Sequence, residues 1–196
     1  MNKTLDYYNK YATNYVNETI NADMSNLINK FTKYLPNKSH ILDLGCGSGR
    51  DSKIFIEKGY TVTAIDGSIE ICELASKYIN QEVICKRFNE IDFKDQFDGV
   101  WACASLLHVS LKDLVSIFKK ISRALKVNGY LFTCFKYGHF EGERNLRYYT
   151  DLTEVQLKEI INQINDLKII ELFTSEDVRN SKKNDKWLNV IIKKTS

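Results

Sequence analysis

A glycine-rich turn is the feature of this sequence that most constrains its fold. The stretch "ILDLGCGSGRDS" (41–52) places three glycines within five positions, directly after an apolar run and directly before a polar one. Glycine leaves backbone N–H groups unshielded, and the N-terminus of a helix favours negatively charged atoms. A strand that ends in such a turn and opens a helix can bring a small ligand against the main chain. A turn that serves packing alone is the alternative interpretation.

The residues around this turn indicate which ligand it binds. Asp66 ends the next apolar run, where a carboxylate can accept two hydrogen bonds from a ribose diol, so the ligand is expected to contain adenosine. The dinucleotide pattern G-x-G-x-x-G is not met, because Gly49 comes one position early and Arg50 takes the usual place of the third glycine. Asp43 would repel a pyrophosphate and attract an α-ammonium group. S-adenosylmethionine carries an ammonium group and no phosphate.

Strand-like segments alternate with helix-length segments from residue 41 onward. Such alternation predicts an α/β fold, with a mainly parallel sheet and helices on both faces. The segment "LKDLVSIFKKISRALKVNG" is predicted as a crossover helix that ends at Gly129. The last two strands, the second at about Trp187 to Lys193, are separated by a short polar segment and are predicted to pair antiparallel.

Length and composition narrow the classes of protein. The 196 residues, 43% of them hydrophobic, suffice for one domain with a substantial core. We expect a single domain over residues 1–196, in which two helices within 1–37 form a lid and 38–196 form the Rossmann-like core. The net charge of +3 gives little electrostatic reason for nucleic-acid or membrane binding. The five cysteines lack zinc-ligand spacing, so no metal is expected. No apolar leader or spanning run is seen, and a cytoplasmic location is expected.

Four motifs follow one another along the chain: "LDLGCGSG", "AIDGS", "EIDFKDQFDGVWACASLLHV" and "ALKVNGYLFTCF". In this order they resemble the motifs of the class I, seven-stranded S-adenosylmethionine-dependent methyltransferases. The resemblance implies a Rossmann-like three-layer sandwich whose seven-stranded sheet has the order 3-2-1-4-5-7-6, with strand 7 antiparallel. It also implies S-adenosyl-L-methionine as cofactor, S-adenosyl-L-homocysteine as product, and methyl transfer (EC 2.1.1.-) as the reaction.

The resemblance assigns cofactor contacts to positions of this sequence. By it, the backbone from Gly45 to Gly47 lies against the methionine moiety, Asp66 holds the ribose and Ile71 packs on the adenine. The N-terminal "DYYNKYATNY" resembles the tyrosine-containing leader helix that covers the cofactor in many small-molecule members, although ordinary helix packing explains such tyrosines equally well. The predicted cofactor-binding residues are Tyr8, Tyr15, Asp43, Gly45, Cys46, Gly47, Asp66, Gly67, Ile71, Phe88 and Ala104.

One position departs from the family pattern. Many relatives carry an Asp-Ala pair where this chain has Arg87 and Phe88, so a carboxylate that would accept from the adenine amino group is missing. Backbone groups near Phe88 are expected to take its place.

A second group of residues is predicted to bind the methyl acceptor. The segment "FKYGHFEGERNLRYYTDLTEV" is predicted as a loop beyond the carboxyl end of the fifth strand, where ligands of open α/β sheets lie. Its basic residues, together with Arg179, favour a small anionic acceptor, unless nearby Glu and Asp side chains pair with them. His108, just past the fourth strand, is the candidate general base, or else a packing residue. The predicted acceptor-binding residues are Lys136, Tyr137, Arg147, Arg179 and Trp187.

Three other functions stay open. A metalloid-detoxification methyltransferase is one, because "GCGSGRDS" followed by "EKGY" is similar to the equivalent stretch of tellurite-resistance methyltransferases. An RNA or protein methyltransferase is the second, although neither an NPPY-like tetrapeptide nor a basic appended domain is seen. A non-catalytic cofactor-binding module is the third. The acceptor's identity, and whether the protein is a monomer or a homodimer, do not follow from the sequence.

Overall fold

The computed structural model describes residues 3–179 and 185–196. Its strands are β1 (His40–Leu44), β2 (Thr61–Asp66), β3 (Val83–Cys85), β4 (Phe97–Ala102), β5 (Leu125–Lys136), β6 (Glu141–Arg144), β7 (Arg147–Thr150), β8 (Leu167–Glu176) and β9 (Lys186–Lys194). Seven of them form one sheet of order β3-β2-β1-β4-β5-β9-β8. The pairs among β1 to β5 are parallel, whereas β9 is antiparallel to both β5 and β8. The predicted order 3-2-1-4-5-7-6 is therefore confirmed.

Helices cover both faces of the sheet. They are α1 (Lys3–Lys10), α2 (Ala12–Thr19), α3 (Ser25–Thr32), α4 (Arg50–Glu57), α5 (Ile69–Ile79), α6 (Leu111–Ala124) and α7 (Glu154–Ile161). Successive β-strand side chains point to opposite faces, so the fully buried neighbours Ile41 and Leu42 enter different hydrophobic clusters. One cluster joins the sheet to α3, α4 and α5, and the other joins it to α6 and α7. The predicted three-layer α/β sandwich is confirmed.

The N-terminal segment differs from the predicted pair of helices. The first predicted helix divides into α1 and α2 at Tyr11, although the backbone bonds from Tyr11 to Tyr7 and from Tyr15 to Tyr11 continue across the break. The next helix, α3, buries Ile28 and Phe31 completely against the sheet. Because α3 belongs to the core, the lid prediction for residues 1–37 is restricted to α1 and α2.

The third crossover helix is shorter than predicted. It ends at Ala124, and the next residue, Leu125, already pairs with Phe97 as the start of β5. Asn128 has a φ of 68° and lies where the pairing of β5 with β4 shifts register. Gly129 is therefore part of an irregular strand rather than a helix cap, and the prediction of a helix end there is wrong.

The segment predicted as a loop after β5 contains a β-hairpin. β6 and β7 pair antiparallel as a separate two-stranded sheet. Asn145 and Leu146 connect them with φ angles of 52° and 64°, as a two-residue type I′ turn requires. Leucine is uncommon in that conformation, which explains why the sequence gives so weak a hairpin signal. The hairpin lies beside α1 and carries Arg147 at the start of β7.

Candidate functional site

The glycine turn between β1 and α4 is closely covered by other chain segments. Gly45 and Gly47 have φ angles of 80° and 54°, which side chains rarely adopt. A Cβ on Gly45 would lie 2.6 Å from the Cβ of Ser105, and one on Gly47 would lie 2.8 Å from the hydroxyl oxygen of Tyr15. Bare backbone is therefore required here by both conformation and space.

Asp66 lies beside this turn at the end of β2. One carboxylate oxygen accepts from the backbone N–H of Gly47 at 3.1 Å, and the other accepts from the backbone N–H of Ser68 at 3.0 Å. Burial raises the pKa of Asp66, and these backbone donors oppose the rise. Two oxygens held in this way keep further lone pairs for a ligand.

A cavity of about 800 Å³, called here the outer cleft, opens in front of Asp66. The predicted cofactor residues that line it are Tyr8, Tyr15, Gly45, Gly47, Asp66, Gly67, Ile71, Phe88 and Ala104. Arg87, the departure from the family pattern, also lines this cleft. The structure thus brings together at one opening residues from α1, α2, the glycine turn and the segments after β2, β3 and β4.

A second cavity of about 150 Å³, called here the inner cavity, also borders the glycine turn. Asp43 and Cys46, which were predicted with the cofactor residues, line this cavity instead. The two cavities share five lining residues, called here the junction: Tyr8, Tyr15, Gly45, Ala104 and His108. The junction is the place where ligands held in the two cavities would meet.

Two buried carboxyl groups, Asp43 and Asp51, line the inner cavity, and only Asp43 is predicted from the sequence. Asp43 accepts a hydrogen bond of 2.6 Å from Ser52, and burial, reinforced by the nearby carboxylate of Asp51, raises the pKa of Asp43 to about 8. The carboxylate of Asp51 accepts hydrogen bonds from Nε of Arg50 at 2.7 Å and from the indole N–H of Trp101 at 2.9 Å. The sequence signal for Asp51 was weak, since an acidic residue in the first turn of a helix is common.

Four of the five predicted acceptor-binding residues line the inner cavity: Lys136, Arg147, Arg179 and Trp187. Tyr137 does not line either cavity, because its hydroxyl donates to Glu154 at 2.8 Å and its ring lies under the ammonium group of Lys186. The prediction that placed Tyr137 in this pocket is therefore corrected.

Most of the cations in this region already have carboxylate partners. Lys136 pairs with Asp185, and Arg179 pairs with Asp177, which also accepts from the indole N–H of Trp187. Arg144, from the same hairpin as Arg147, pairs in the same way with Asp151 at 2.7 Å. These pairs favour the alternative interpretation of the sequence, in which the cations serve the structure of the loops, with Asp185 and Asp151 as the partners of Lys136 and Arg144.

Arg147 differs from the other cations. Within residues 3–179 and 185–196, no ion pair joins its guanidinium to a carboxylate, and its buried Nε has no hydrogen-bond partner. The guanidinium stacks instead on the Tyr7 ring, with its central carbon 4.4 Å from the centroid, and on the Tyr149 ring at 5.4 Å. Its Nη1 lies 3.5 Å from the hydroxyl of Tyr8.

His108 is held between α1 and the hairpin. Its Nδ1 lies 2.6 Å from the backbone carbonyl of Tyr148, and its Nε2 lies 2.9 Å from the hydroxyl of Tyr8. Because a carbonyl can only accept, Nδ1 carries the proton, and Nε2 accepts from the tyrosine hydroxyl. Burial lowers the pKa of His108 to about 4, and the charge of Arg147 acts in the same direction. The ring is therefore neutral near pH 7.

Helix α1 is bound to both sides of the site. Thr4 accepts from the backbone N–H of Tyr148 at 2.9 Å, and Lys3 pairs with Glu143 of the hairpin. On the other side, Asn9 accepts from Ser68 at the start of α5. With Tyr15 of α2 against Gly47, the two helices cover the junction from the hairpin to the glycine turn.

The 3-2-1-4-5-7-6 sheet, the glycine turn after β1 and the carboxylate after β2 are the features that the resemblance to the Rossmann-like class I methyltransferases predicts. Residues 42–133 match a family model described as a methyltransferase domain. The resemblance of the chain to class I S-adenosylmethionine-dependent methyltransferases is confirmed, and S-adenosylmethionine is the cofactor that this family uses.

Two curated relatives match half of the chain. A Bacillus subtilis (strain 168) protein described as a candidate methyltransferase, YqeM, is 38% identical over 104 residues, which are 50% of this chain and 42% of that protein. The ubiquinone biosynthesis O-methyltransferase of Actinobacillus pleuropneumoniae is 30% identical over 103 residues, 47% of this chain and 43% of that protein. The matched parts therefore span less than half the length of these relatives.

A solved structure matches almost the whole chain. It is the Burkholderia thailandensis 1,6-didemethyltoxoflavin-N1-methyltransferase, with 1,6-didemethyltoxoflavin and S-adenosylhomocysteine bound. Its TM-score is 0.76 at 22% identity, and the match covers 97% of this chain and 86% of that one. At this identity the likeness shows the fold.

Two further properties concern only the part of the chain that the structure describes. Within that part, no cluster of three or more His, Cys, Asp or Glu side chains could hold a metal ion. Also within it, no helix is long and apolar enough to cross a membrane.

Proposed function

We propose that the protein transfers a methyl group from S-adenosylmethionine to a small acceptor, which is favoured to be anionic. The observation that carries this proposal is the junction, where the outer cleft and the inner cavity share five lining residues beside the glycine turn. Methyl transfer requires two bound molecules to meet in line, which such an arrangement provides.

The outer cleft fits the cofactor. The turn around Gly45 and Gly47 offers backbone that no side chain shields, Asp66 offers acceptor oxygens for a ribose diol, and Ile71 and Phe88 offer apolar surface for the adenine. When bound, the cofactor supplies a methyl group on a sulfonium, which is already a good leaving group. The protein's part is to orient the two molecules and to exclude water.

The size of the inner cavity favours a small acceptor. Its volume of about 150 Å³ is similar to that of cavities that hold a single benzene ring. The helices α1 and α2 cover the junction, and a folded nucleic acid or protein would have to displace them. Two relatives support this proposal by their names, since one is a toxoflavin-precursor N1-methyltransferase and the other is an O-methyltransferase of ubiquinone biosynthesis.

The charge of the inner cavity favours an anionic acceptor. Lys136 and Arg179 are neutralised by their carboxylate partners, whereas Arg147 keeps its positive charge among aromatic rings. A guanidinium that lines a cavity without a carboxylate partner attracts an oxyanion and repels an ammonium ion.

Calorimetry with S-adenosylhomocysteine and with NADH tests the cofactor assignment. We expect S-adenosylhomocysteine to bind and NADH to bind far more weakly. Tighter binding of NADH would contradict the proposal. Production of S-adenosylhomocysteine from S-adenosylmethionine and a metabolite extract then separates an enzyme from a non-catalytic binding module. Adding tellurite, selenite or RNA to parallel reactions tests the alternative acceptors.

A further inference from the structure

We propose that Tyr8 takes the proton from the acceptor, and that His108 positions Tyr8 and receives the proton that Tyr8 gives up. This inference rests on the proposed function and concerns how the nucleophile is prepared. It differs from the sequence-based prediction, in which His108 itself is the base that faces the acceptor. The structure points to a catalytic role for a tyrosine of the leader helix and to a role behind it for the histidine.

The hydrogen bonds of His108 show why this ring does not contact the acceptor directly. Both ring nitrogens are already engaged, Nδ1 with the carbonyl of Tyr148 and Nε2 with the hydroxyl of Tyr8. A proton from a bound acceptor therefore reaches the imidazole only through Tyr8. The tautomer is set by the carbonyl, so Nε2 presents a lone pair to the tyrosine hydroxyl.

The surroundings of Tyr8 suit its hydroxyl to take a proton from the acceptor. Its ring lines both cavities, so its oxygen lies where an acceptor would meet the cofactor. Since the hydroxyl hydrogen is directed at His108, the remaining lone pairs of that oxygen are available to a second donor. Nη1 of Arg147 lies 3.5 Å from the same oxygen and stabilises negative charge that develops there.

Tyr8 and His108 account for every proton that moves in the transfer, as follows from the bonds that form and break. The acceptor oxygen forms a bond to the methyl carbon as the bond from that carbon to sulfur breaks, and the electron pair of the broken bond stays on sulfur. The hydroxyl proton of the acceptor passes to Tyr8, and the proton of Tyr8 passes to Nε2 of His108. The positive charge that leaves the sulfonium ends on the imidazole, which returns the proton to solvent after product release.

This arrangement selects a class of acceptor. A hydroxyl on an aromatic or enolic carbon fits, because its oxyanion is stabilised by Arg147 and its ring can pack against Tyr149 and Trp187. An ammonium ion would be repelled by the same guanidinium. The acceptor is thus a small acidic hydroxyl compound.

Nitrogen NMR of the full chain without cofactor tests the relay independently of activity. We expect the ring of His108 to carry its proton on Nδ1 at pH 7 and to titrate below pH 5. The groups that face this ring are Tyr8, Arg147 and Tyr149. Tyr8→Phe should shift the Nε2 resonance, whereas Tyr11→Phe, a matched tyrosine change outside both cavities, should not. A proton on Nε2 in the wild type would overturn the proposal.

Kinetics with a radiolabelled methyl donor test the role in transfer. The acceptor probes are hydroxybenzoates and hydroxycinnamates, with ring amines and ring thiols of similar size for comparison. We expect the phenols to be methylated, and both Tyr8→Phe and His108→Gln to lower kcat by about 100-fold, within the usual range for proton transfer. The affinity for S-adenosylhomocysteine should change by less than about threefold, and Tyr11→Phe should keep the kcat of the wild type.

His108→Gln is the sharpest variant, because a glutamine oxygen can accept the hydrogen bond of Tyr8 but cannot bind a proton. Full kcat in this variant or in Tyr8→Phe overturns the proposal, as does methylation of amines or thiols alone, or of none of the probes. If S-adenosylhomocysteine still binds in those cases, the cofactor half of the proposed function stands. Failure of the wild type to bind it would refute the proposed function itself.

Discussion

A Cβ atom on Gly47 would lie 2.8 Å from the hydroxyl oxygen of Tyr15, so α2 and the glycine turn are in direct contact. The ring of Tyr15 packs in turn against that of Tyr8, with centroids 5.0 Å apart. Helix α2, which covers the site, therefore packs closely against the glycine turn.

Gly47→Ala should weaken the binding of S-adenosylhomocysteine at least tenfold, because the new methyl group meets Tyr15 as well as straining the backbone. Gly59→Ala is the matched control, since Gly59 also has a positive φ of 86° but nothing within 4 Å of a Cβ. Both variants should lose roughly 1 kcal/mol of stability to left-handed strain. Calorimetry should find the affinity unchanged in Gly59→Ala, and equal losses in both would contradict the contact.

Asp66→Ala should cost about 1.5 to 3 kcal/mol of cofactor binding, the usual value of hydrogen bonds to a charged group. Asp92→Ala serves as control, because Asp92 is an exposed carboxylate paired with Lys86 outside the outer cleft. The dissociation constant of S-adenosylhomocysteine measures the effect. An unchanged constant in Asp66→Ala would remove this residue from the ribose site.

Asp43→Asn should alter the dependence of stability on pH. The folded pKa of about 8 lies above the ordinary value of 3.8, so the neutral form is favoured in the folded state. The stability that the protonated Asp43 contributes is therefore complete below about pH 4, and it is lost as the pH rises through about 8. We therefore expect thermal unfolding to show that Asp43→Asn is more stable than the wild type at pH 8. At pH 4 the difference in stability should be smaller or absent.

Asp98→Asn provides a control of opposite sign for that experiment. The hydrogen bond from Lys126 and the backbone N–H of His40 lower the pKa of Asp98. Its stabilising contribution is present above the unfolded value and is lost as pH falls through the lower folded value. This variant should be less stable than the wild type at pH 8. A stability gain there would show that the reasoning about these two carboxyl groups is wrong.

Removal of residues 1–20 should leave a folded domain with weakened affinity for S-adenosylhomocysteine. In α1 and α2 only Thr4 and Ala12 are buried, so the core loses little. Phe31→Ala in α3 is the contrasting variant, because this fully buried ring touches Trp101 and Phe132 and its loss should cost about 3 to 5 kcal/mol. Circular dichroism that finds the truncated protein unfolded would argue against a lid.

Arg147→Ala and Arg179→Ala should have different effects. Loss of the unpaired Arg147 should raise the KM of the acceptor at least tenfold, about 1.4 kcal/mol, without weakening cofactor binding. Loss of Arg179 removes the partner of Asp177, whose side chain is 3% exposed, and should lower stability by about 1 to 3 kcal/mol. Steady-state kinetics and thermal unfolding of both variants separate these outcomes, and the same KM effect in both would contradict the assignment.

The class of fold and much of the outer cleft could be predicted from the amino-acid sequence. The order of apolar strands and helices, the glycine turn and the carboxylate after β2 are local features, and each reports its conformation through a few neighbouring residues. The hairpin in the segment after β5 escaped this reasoning, because Leu146 occupies a conformation that the residue type disfavours.

The chemistry of the inner cavity could not be predicted in the same way, because it depends on tertiary contacts. Tyr8, His108 and Arg147 come from α1, the segment after β4, and β7, and nothing in their local sequence indicates that they meet. Local sequence also does not show which cations are neutralised, since folding brings the carboxylate of Asp185 to Lys136 but the ring of Tyr7 to Arg147. Charge and proton position depend on contacts between distant segments, and those contacts exist only once the chain has packed.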